Sequence, residues 1–136
     1  LRILGSDVNT DVLESAIHGC YAEKLLSPIP DSFRRRYFTS ESEKLNSHNQ
    51  IKTEIQRLIQ FRQFNLMSAE YPIATKFQLI FCRNVLYYLQ PERREFLIRK
   101  LVDHLEEGGW LVLGITESGY SIDKMEKHSI SIYQKT

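Results

Sequence analysis

The sequence predicts an α/β protein: an open, mostly parallel sheet flanked by helices and closed by a late antiparallel hairpin. Three observations carry this expectation. The run Phe77-Gln78-Leu79-Ile80-Phe81-Cys82 has the length and apolar content of a strand buried on both faces. Downstream, Leu97, Ile98, Leu101, Val102 and Leu105 form a stripe whose spacing is that of a helix packed on a sheet. Last, Ser129-Ile130-Ser131-Ile132-Tyr133 alternates polar and apolar residues, as an antiparallel edge strand does. Strands that alternate with helices belong to the α/β class.

Residues 1–6 read as a strand, with Leu1, Ile3 and Leu4 apolar. Asp7-Val8-Asn9-Thr10 turns the chain. Asn9 or Thr10 caps a helix that carries Val12, Leu13, Ala16 and Ile17 on one face, and Gly19 stops it. Residues 20–50 read as irregular, a loop or a small insertion, because Pro28 and Pro30 break structure and Ser40 to Asn49 is polar. Residues 51–58 fit a short strand or a helical turn. A second main strand covers residues 59–64 and ends at Asn65-Leu66. After a connector with Pro72 comes the third strand, residues 77–82. Pro91 suits a helix start, and Glu106-Glu107-Gly108-Gly109 is expected to end that helix. Residues 110–115 make the fourth strand.

The chain has 136 residues, the size of one domain, and 42% of them are apolar, enough for a core. A net charge of +1 gives no reason to expect a nucleic-acid partner. No apolar stretch reaches the length of a membrane span, and no signal segment opens the chain. It starts at Leu1 rather than Met, so an upstream piece is expected to have been removed or not included. Two cysteines, Cys20 and Cys82, make no disulfide framework. The histidines His18, His48, His104 and His128 lack metal-ligand spacing, so no metal is expected.

The residues that can carry chemistry sit at strand ends, where open α/β sheets bind ligands. Asp7 follows the first strand; its carboxylate suits a ribose diol, or it satisfies the amides of its own turn. Asn65-Leu66 ends the next strand and can read the edge and face of an adenine, or is simply a turn. Arg83, Asn84 and Tyr88 follow the third strand. A guanidinium can hold a carboxylate and a phenol can orient one. The bland alternatives are a solvated ion pair and a half-buried ring. Arg34-Arg35-Arg36 is read as a solvated basic face. Glu117, in Gly114-Ile115-Thr116-Glu117-Ser118, either faces the cleft or caps the next turn.

Taken together, several motifs resemble one family. They are Ser6-Asp7-Val8-Asn9-Thr10-Asp11-Val12-Leu13, Arg36-Tyr37-Phe38, Asn65-Leu66, Phe81-Cys82-Arg83-Asn84-Val85-Leu86-Tyr87-Tyr88, Gly108-Gly109 and Gly114-Ile115-Thr116-Glu117-Ser118. In this order they resemble the catalytic domain of the CheR-type chemotaxis receptor methyltransferases. The resemblance implies a Rossmann-like S-adenosylmethionine-dependent methyltransferase sheet and a cytoplasmic bacterial enzyme. Its product would be S-adenosylhomocysteine, and its partner a methyl-accepting chemotaxis receptor methylated on glutamate. It also implies roles. Asp7 would hold the cofactor ribose, and Asn65 and Leu66 would line the adenine site. Asn84 would stand on the cofactor side of a wall whose substrate side is Arg83 and Tyr88, with Tyr88 orienting the glutamate.

The chain departs from the family pattern at Asn9, where a second Asp is usual. It has six glycines and no Gly-x-Gly. Residues 1–136 are therefore expected to be a single partial methyltransferase domain, with residues 20–50 corresponding to a small subdomain region. The first strand, its glycine-rich loop and an N-terminal helical domain would be missing. A missing N-terminal segment, or a partner chain that exchanges a strand, would supply the lack. Two other readings stand beside this one: a non-catalytic, methyltransferase-like module for cofactor sensing or docking, and a nicotinamide-binding reductase domain, since Asp7 suits any ribose.

Overall fold

The computed structural model describes residues 1–40, 48–117 and 119–136. Residues 41–47, most of the polar stretch noted above, and Ser118 lie outside the described residues. The chain forms two compact units, Leu1–Asn65 and Leu66–Thr136.

The first unit opens with β1 (Ile3–Asp7). Asn9 takes an extended backbone, and its side chain accepts the N–H groups of Asp11 and Val12, which starts helix α1 (Thr10–His18). Gly19 ends α1 with φ 63°, a left-handed conformation that costs glycine little, and donates its N–H to Ser15 O. Of the α1 side chains only Leu13 is buried; Val12 and Ile17 remain exposed. Next come β2 (Cys20–Ala22), α2 (Glu23–Leu26), α3 (Asp31–Tyr37), β3 (Phe38–Ser40), β4 (His48–Ile51) and α4 (Thr53–Gln56). The unit closes with β5 (Ile59–Gln63), parallel to β1 from Ile3↔Ile59 to Asp7↔Gln63.

Residues 20–50 are thus not irregular, as the sequence suggested. β2, β4 and β3 form a three-stranded antiparallel sheet in that order. Strands of three or four residues are too short to show alternation, and Cys20 finds its partner at Gln50. Such pairing has no local signal. Pro30, read as a breaker, is the N-cap of α3. The ambiguous stretch after Ile51 resolves as one helical turn.

The second unit contains β6 (Phe77–Cys82), a 3₁₀ turn (Leu86–Tyr88), α5 (Pro91–Asp103), β7 (Leu105–Leu113), a second 3₁₀ turn (Ile115–Glu117), β8 (Met125–Lys127) and β9 (Ile132–Lys135). The sheet order is β6-β7-β9-β8, with β6 parallel to β7 and the other pairs antiparallel. Leu97, Ile98, Leu101 and Val102 of α5 are buried against Leu105, Leu111 and Tyr133. Each such side chain contributes about 1.5–3 kcal/mol by leaving water.

Three expectations change here. The helix ends at Asp103, and residues 106–109 belong to β7 rather than to a helix cap. They form an irregularity in the ladder, since Phe77 pairs with Leu105 but Leu79 with Trp110. Glycine is required there: Gly108 has φ 76°, and a Cβ on Gly109 would come within 2.8 Å of Glu106 O. The apolar stripe continues through Leu105, which hid the change of element. Second, β9 is not an edge strand; the short β8 covers its outer side. Third, β6 is not buried on both faces. Ile80 and Cys82 face the core, but Leu79 and Phe81 are 47% and 66% exposed. Within its sheet β6 is one of the two edge strands, and the unit's core lies on its other face.

Candidate functional site

The site residues fall at the carboxyl ends of parallel strands, in both units. Asp7 is the last residue of β1 and is half-buried. Its Oδ1 accepts the Asn9 N–H at 2.9 Å, so this carboxylate shapes its own turn. Asn9 then caps α1, which explains why an amide serves at that position. On the neighbouring strand, Phe64 N–H donates to Asp7 O at 3.3 Å, and Asn65 follows at the same end of the sheet. Asp7 and Asn65 therefore share one edge of the β1–β5 pair. Leu66 begins the second unit, half-buried against its core, and its carbonyl accepts the Tyr71 hydroxyl at 2.5 Å.

In the second unit the chain leaves β6 through Arg83 and Asn84, both exposed. Asn84 has φ 60°, a left-handed turn that an Asn tolerates better than most residues. The backbone then winds into the 3₁₀ turn that carries Leu86, fully buried, and the exposed Tyr87 and Tyr88. The rings of Tyr87 and Tyr88 lie with centroids 3.9 Å apart. A hydrogen bond between the two phenols is the first cause that raises the Tyr87 pKa above its ordinary value. Arg83, Asn84 and Tyr88 thus occupy one short loop.

Glu117 organises that loop. It is 3% exposed. Its Oε2 accepts the N–H groups of Asn84 (2.7 Å) and Gly114 (3.1 Å). Its Oε1 accepts those of Leu86 (2.6 Å) and Tyr87 (3.3 Å). The carboxylate therefore neither faces a cleft nor caps the turn that follows it; it fastens the end of β7 to the loop after β6. Gly114 makes room, because a Cβ there would stand 2.5 Å from Oε2. Nothing local in the sequence marks this role, since the acceptors and donors are some thirty residues apart. Cys82, beneath the loop, has its pKa pushed up to about 11, chiefly by burial and then by the Glu117 charge.

Among the described residues no helix is long and apolar enough to cross a membrane. The fold is similar to that of a solved structure, the glycopeptide N-methyltransferase MtfA. The match has TM-score 0.50 at 15% identity and covers 82% of this chain and 36% of that one. The chemotaxis protein methyltransferase of Borreliella burgdorferi is 29% identical over 136 residues, 99% of this chain and 47% of its own length. The chemotaxis protein methyltransferase of Vibrio parahaemolyticus is 34% identical over 118 residues, 87% of this chain and 42% of its own length. The chain thus spans somewhat under half the length of these curated relatives. Residues 1–133 match the family described as "CheR methyltransferase, SAM binding domain". With the motifs in order, the sheet of a methyltransferase and this match over nearly its whole length, the chain belongs to the CheR methyltransferase family, as its SAM-binding domain, and the nicotinamide-reductase reading falls away.

Proposed function

We propose that the protein transfers a methyl group from S-adenosylmethionine to glutamate side chains of a chemotaxis receptor, and that this chain carries part of the site. The observation that carries the reading is the Arg83–Tyr88 loop at the carboxyl end of β6, in a chain of this family. The residues present fit the cofactor. A carboxylate has room for more donors than the single Asn9 N–H that Asp7 Oδ1 accepts, and a ribose supplies two hydroxyls. Asp7 would hold that diol, Asn65 and Leu66 the edge and face of the adenine, and Asn84 the cofactor side of the loop. When bound, S-adenosylmethionine supplies an electrophilic methyl on a sulfonium.

The chain's own residues then have a modest chemical task. A glutamate is ionised at neutral pH and needs no general base. Tyr88 donates its hydroxyl to one carboxylate oxygen and Arg83 holds the charge in place. Orientation and exclusion of water supply the rate enhancement. Within their own sheets β1 and β6 each have one unpaired edge among the described residues. An exposed edge can take a further strand. We assign the cover of each of these edges to an upstream segment of the same gene product or to a partner chain by exchange.

The test uses the complete gene product, titrated with S-adenosylmethionine and assayed for labelled methyl transfer to a receptor fragment. Tyr88→Phe is expected to lower turnover at saturating cofactor more than it weakens cofactor binding. Cofactor binding without any transfer would favour the alternative of a non-catalytic sensing module.

A further inference from the structure

We infer that Glu117 is a positioning residue for the substrate-facing loop, a latch whose two oxygens set the path of residues 84–87 and so the place of Arg83 and Tyr88. The inference rests on the methyl-transfer reading above. The loop leaves β6 in an uncommon conformation, with Asn84 at φ 60°, and its Arg83, Tyr87 and Tyr88 side chains are exposed. Their own packing does little to hold them. Beside the buried Leu86 and the Arg94 side chain, which donates to Leu89 O (2.8 Å) and Tyr87 O (3.5 Å), the backbone is held by a buried carboxylate that accepts N–H groups from Asn84, Leu86 and Tyr87 on the loop and from Gly114 on β7's side. Charge-assisted bonds of this kind are short and strong, and two of these measure 2.7 and 2.6 Å.

The division of labour between the oxygens makes the latch sensitive to chemistry as well as to size. Oε2 serves Asn84 and Gly114, and Oε1 serves Leu86 and Tyr87. A glutamine has the same shape but only one acceptor oxygen. Either orientation of its amide turns an NH₂ toward two N–H donors. The loop must then shift on one side or the other. Glu117→Asp keeps the charge but withdraws it by one methylene, so it is not expected to rescue the loop. Gly114→Ala perturbs the same latch from outside, because its Cβ would crowd Oε2 at 2.5 Å while the carboxylate remains.

The experiment compares wild type, Glu117→Gln and Gly114→Ala as complete gene products. It measures kcat with both substrates saturating, KM for each substrate, amide hydrogen exchange and the melting midpoint. A loop displaced by about an ångström is expected to lower kcat by roughly 10- to 100-fold well below the melting midpoint. The amides of Asn84, Leu86 and Tyr87 should lose protection in Glu117→Gln. If Glu117→Gln does not fold, Gly114→Ala alone carries the test, with the same expected fall in kcat. A folded variant of either kind with wild-type kcat overturns the inference, even if its melting midpoint is lower, since that is what a merely structural contact would give. A wild type that neither binds S-adenosylmethionine nor transfers a methyl group overturns the underlying reading, and the inference with it.

Discussion

At the scale of single residues, Asp7 and Cys82 show how environment assigns a role. The Asp7 carboxylate sits half-buried at a strand end, with one oxygen on Asn9 N–H. Replacing it with alanine removes the acceptor proposed for the ribose. Asp7→Ala in the complete gene product is expected to weaken S-adenosylmethionine binding by about 1–3 kcal/mol, the cost of unmatched polar partners. Calorimetric titration checks this, and unchanged affinity would remove Asp7 from the site. Cys82 is a core thiol whose pKa rises from 9.0 to about 11. Because the folded state keeps its proton longer than the unfolded state, the sign of the linkage is negative with rising pH. The stability due to the neutral thiol is whole below about pH 9 and is lost as the pH climbs through about 11. Thermal melts from pH 8 to 11 should show a steeper alkaline loss in wild type than in Cys82→Ala. Parallel curves would contradict the assignment. Among the candidate residues, the placement of Asp7, Arg83, Asn84 and Tyr88 at or just after strand ends was legible in the sequence, because strand ends are marked by an abrupt change from apolar to polar. Glu117 was not, because its partners are distant in the chain.

Among the secondary-structure elements, α5 and its C-terminus show how helix and sheet are joined. Lys135 of β9 is 8% exposed. Its Nζ donates to the carbonyls of Val102 (3.1 Å) and Leu105 (3.0 Å) and pairs with Glu107 at 3.3 Å. Helix carbonyls at a C-terminus lack intrahelical partners, and a cation there also meets the negative end of the helix dipole. Lys135→Met keeps the stem but removes the charged donor from both carbonyls and from Glu107, so it is expected to destabilise the fold by about 1–3 kcal/mol. Urea unfolding with an unchanged m-value is the measurement. In the same last turn of the helix, Lys100 donates to Ser68 O and to Ala69 O (2.8 Å) and lies 3.8 Å from the centroid of the Tyr71 ring. These bonds tie the connector to α5. None of them leaves a trace in hydrophobic periodicity.

For the whole molecule, the architecture is two units with sheets of different construction: β1–β5 and the β2-β4-β3 sheet in one, β6-β7-β9-β8 in the other. Leu79 and Phe81 on β6 are exposed, and β1 and β6 have unpaired edges among the described residues. Exposed apolar edges favour association. The 136-residue chain by itself is accordingly expected to show no measurable methyl transfer and little affinity for S-adenosylmethionine. A monomeric, cooperatively folded sample of this chain that bound the cofactor at micromolar levels would overturn that expectation, and with it the proposal of a further strand.

What the amino-acid sequence determined by itself was local or strongly periodic. β1, α1 with its Asn9 cap and Gly19 stop, β6, the start of α5 and the Arg83–Tyr88 loop all follow from short-range rules of capping, period and strand-end chemistry. The tertiary structure decided whatever depends on a distant partner. The pairing of Cys20 with Gln50 made a sheet of an apparently irregular stretch. The pairing of β7 with β6 drew Glu106 to Gly109 into a strand, and β8 turned β9 from an edge into an interior strand. The fourfold grip of Glu117 on two chain segments belongs here too. The physical reason is common to all of these. A backbone N–H or carbonyl has the same hydrogen-bonding capacity whatever side chain it bears, so its choice of a distant partner is set by the assembled fold.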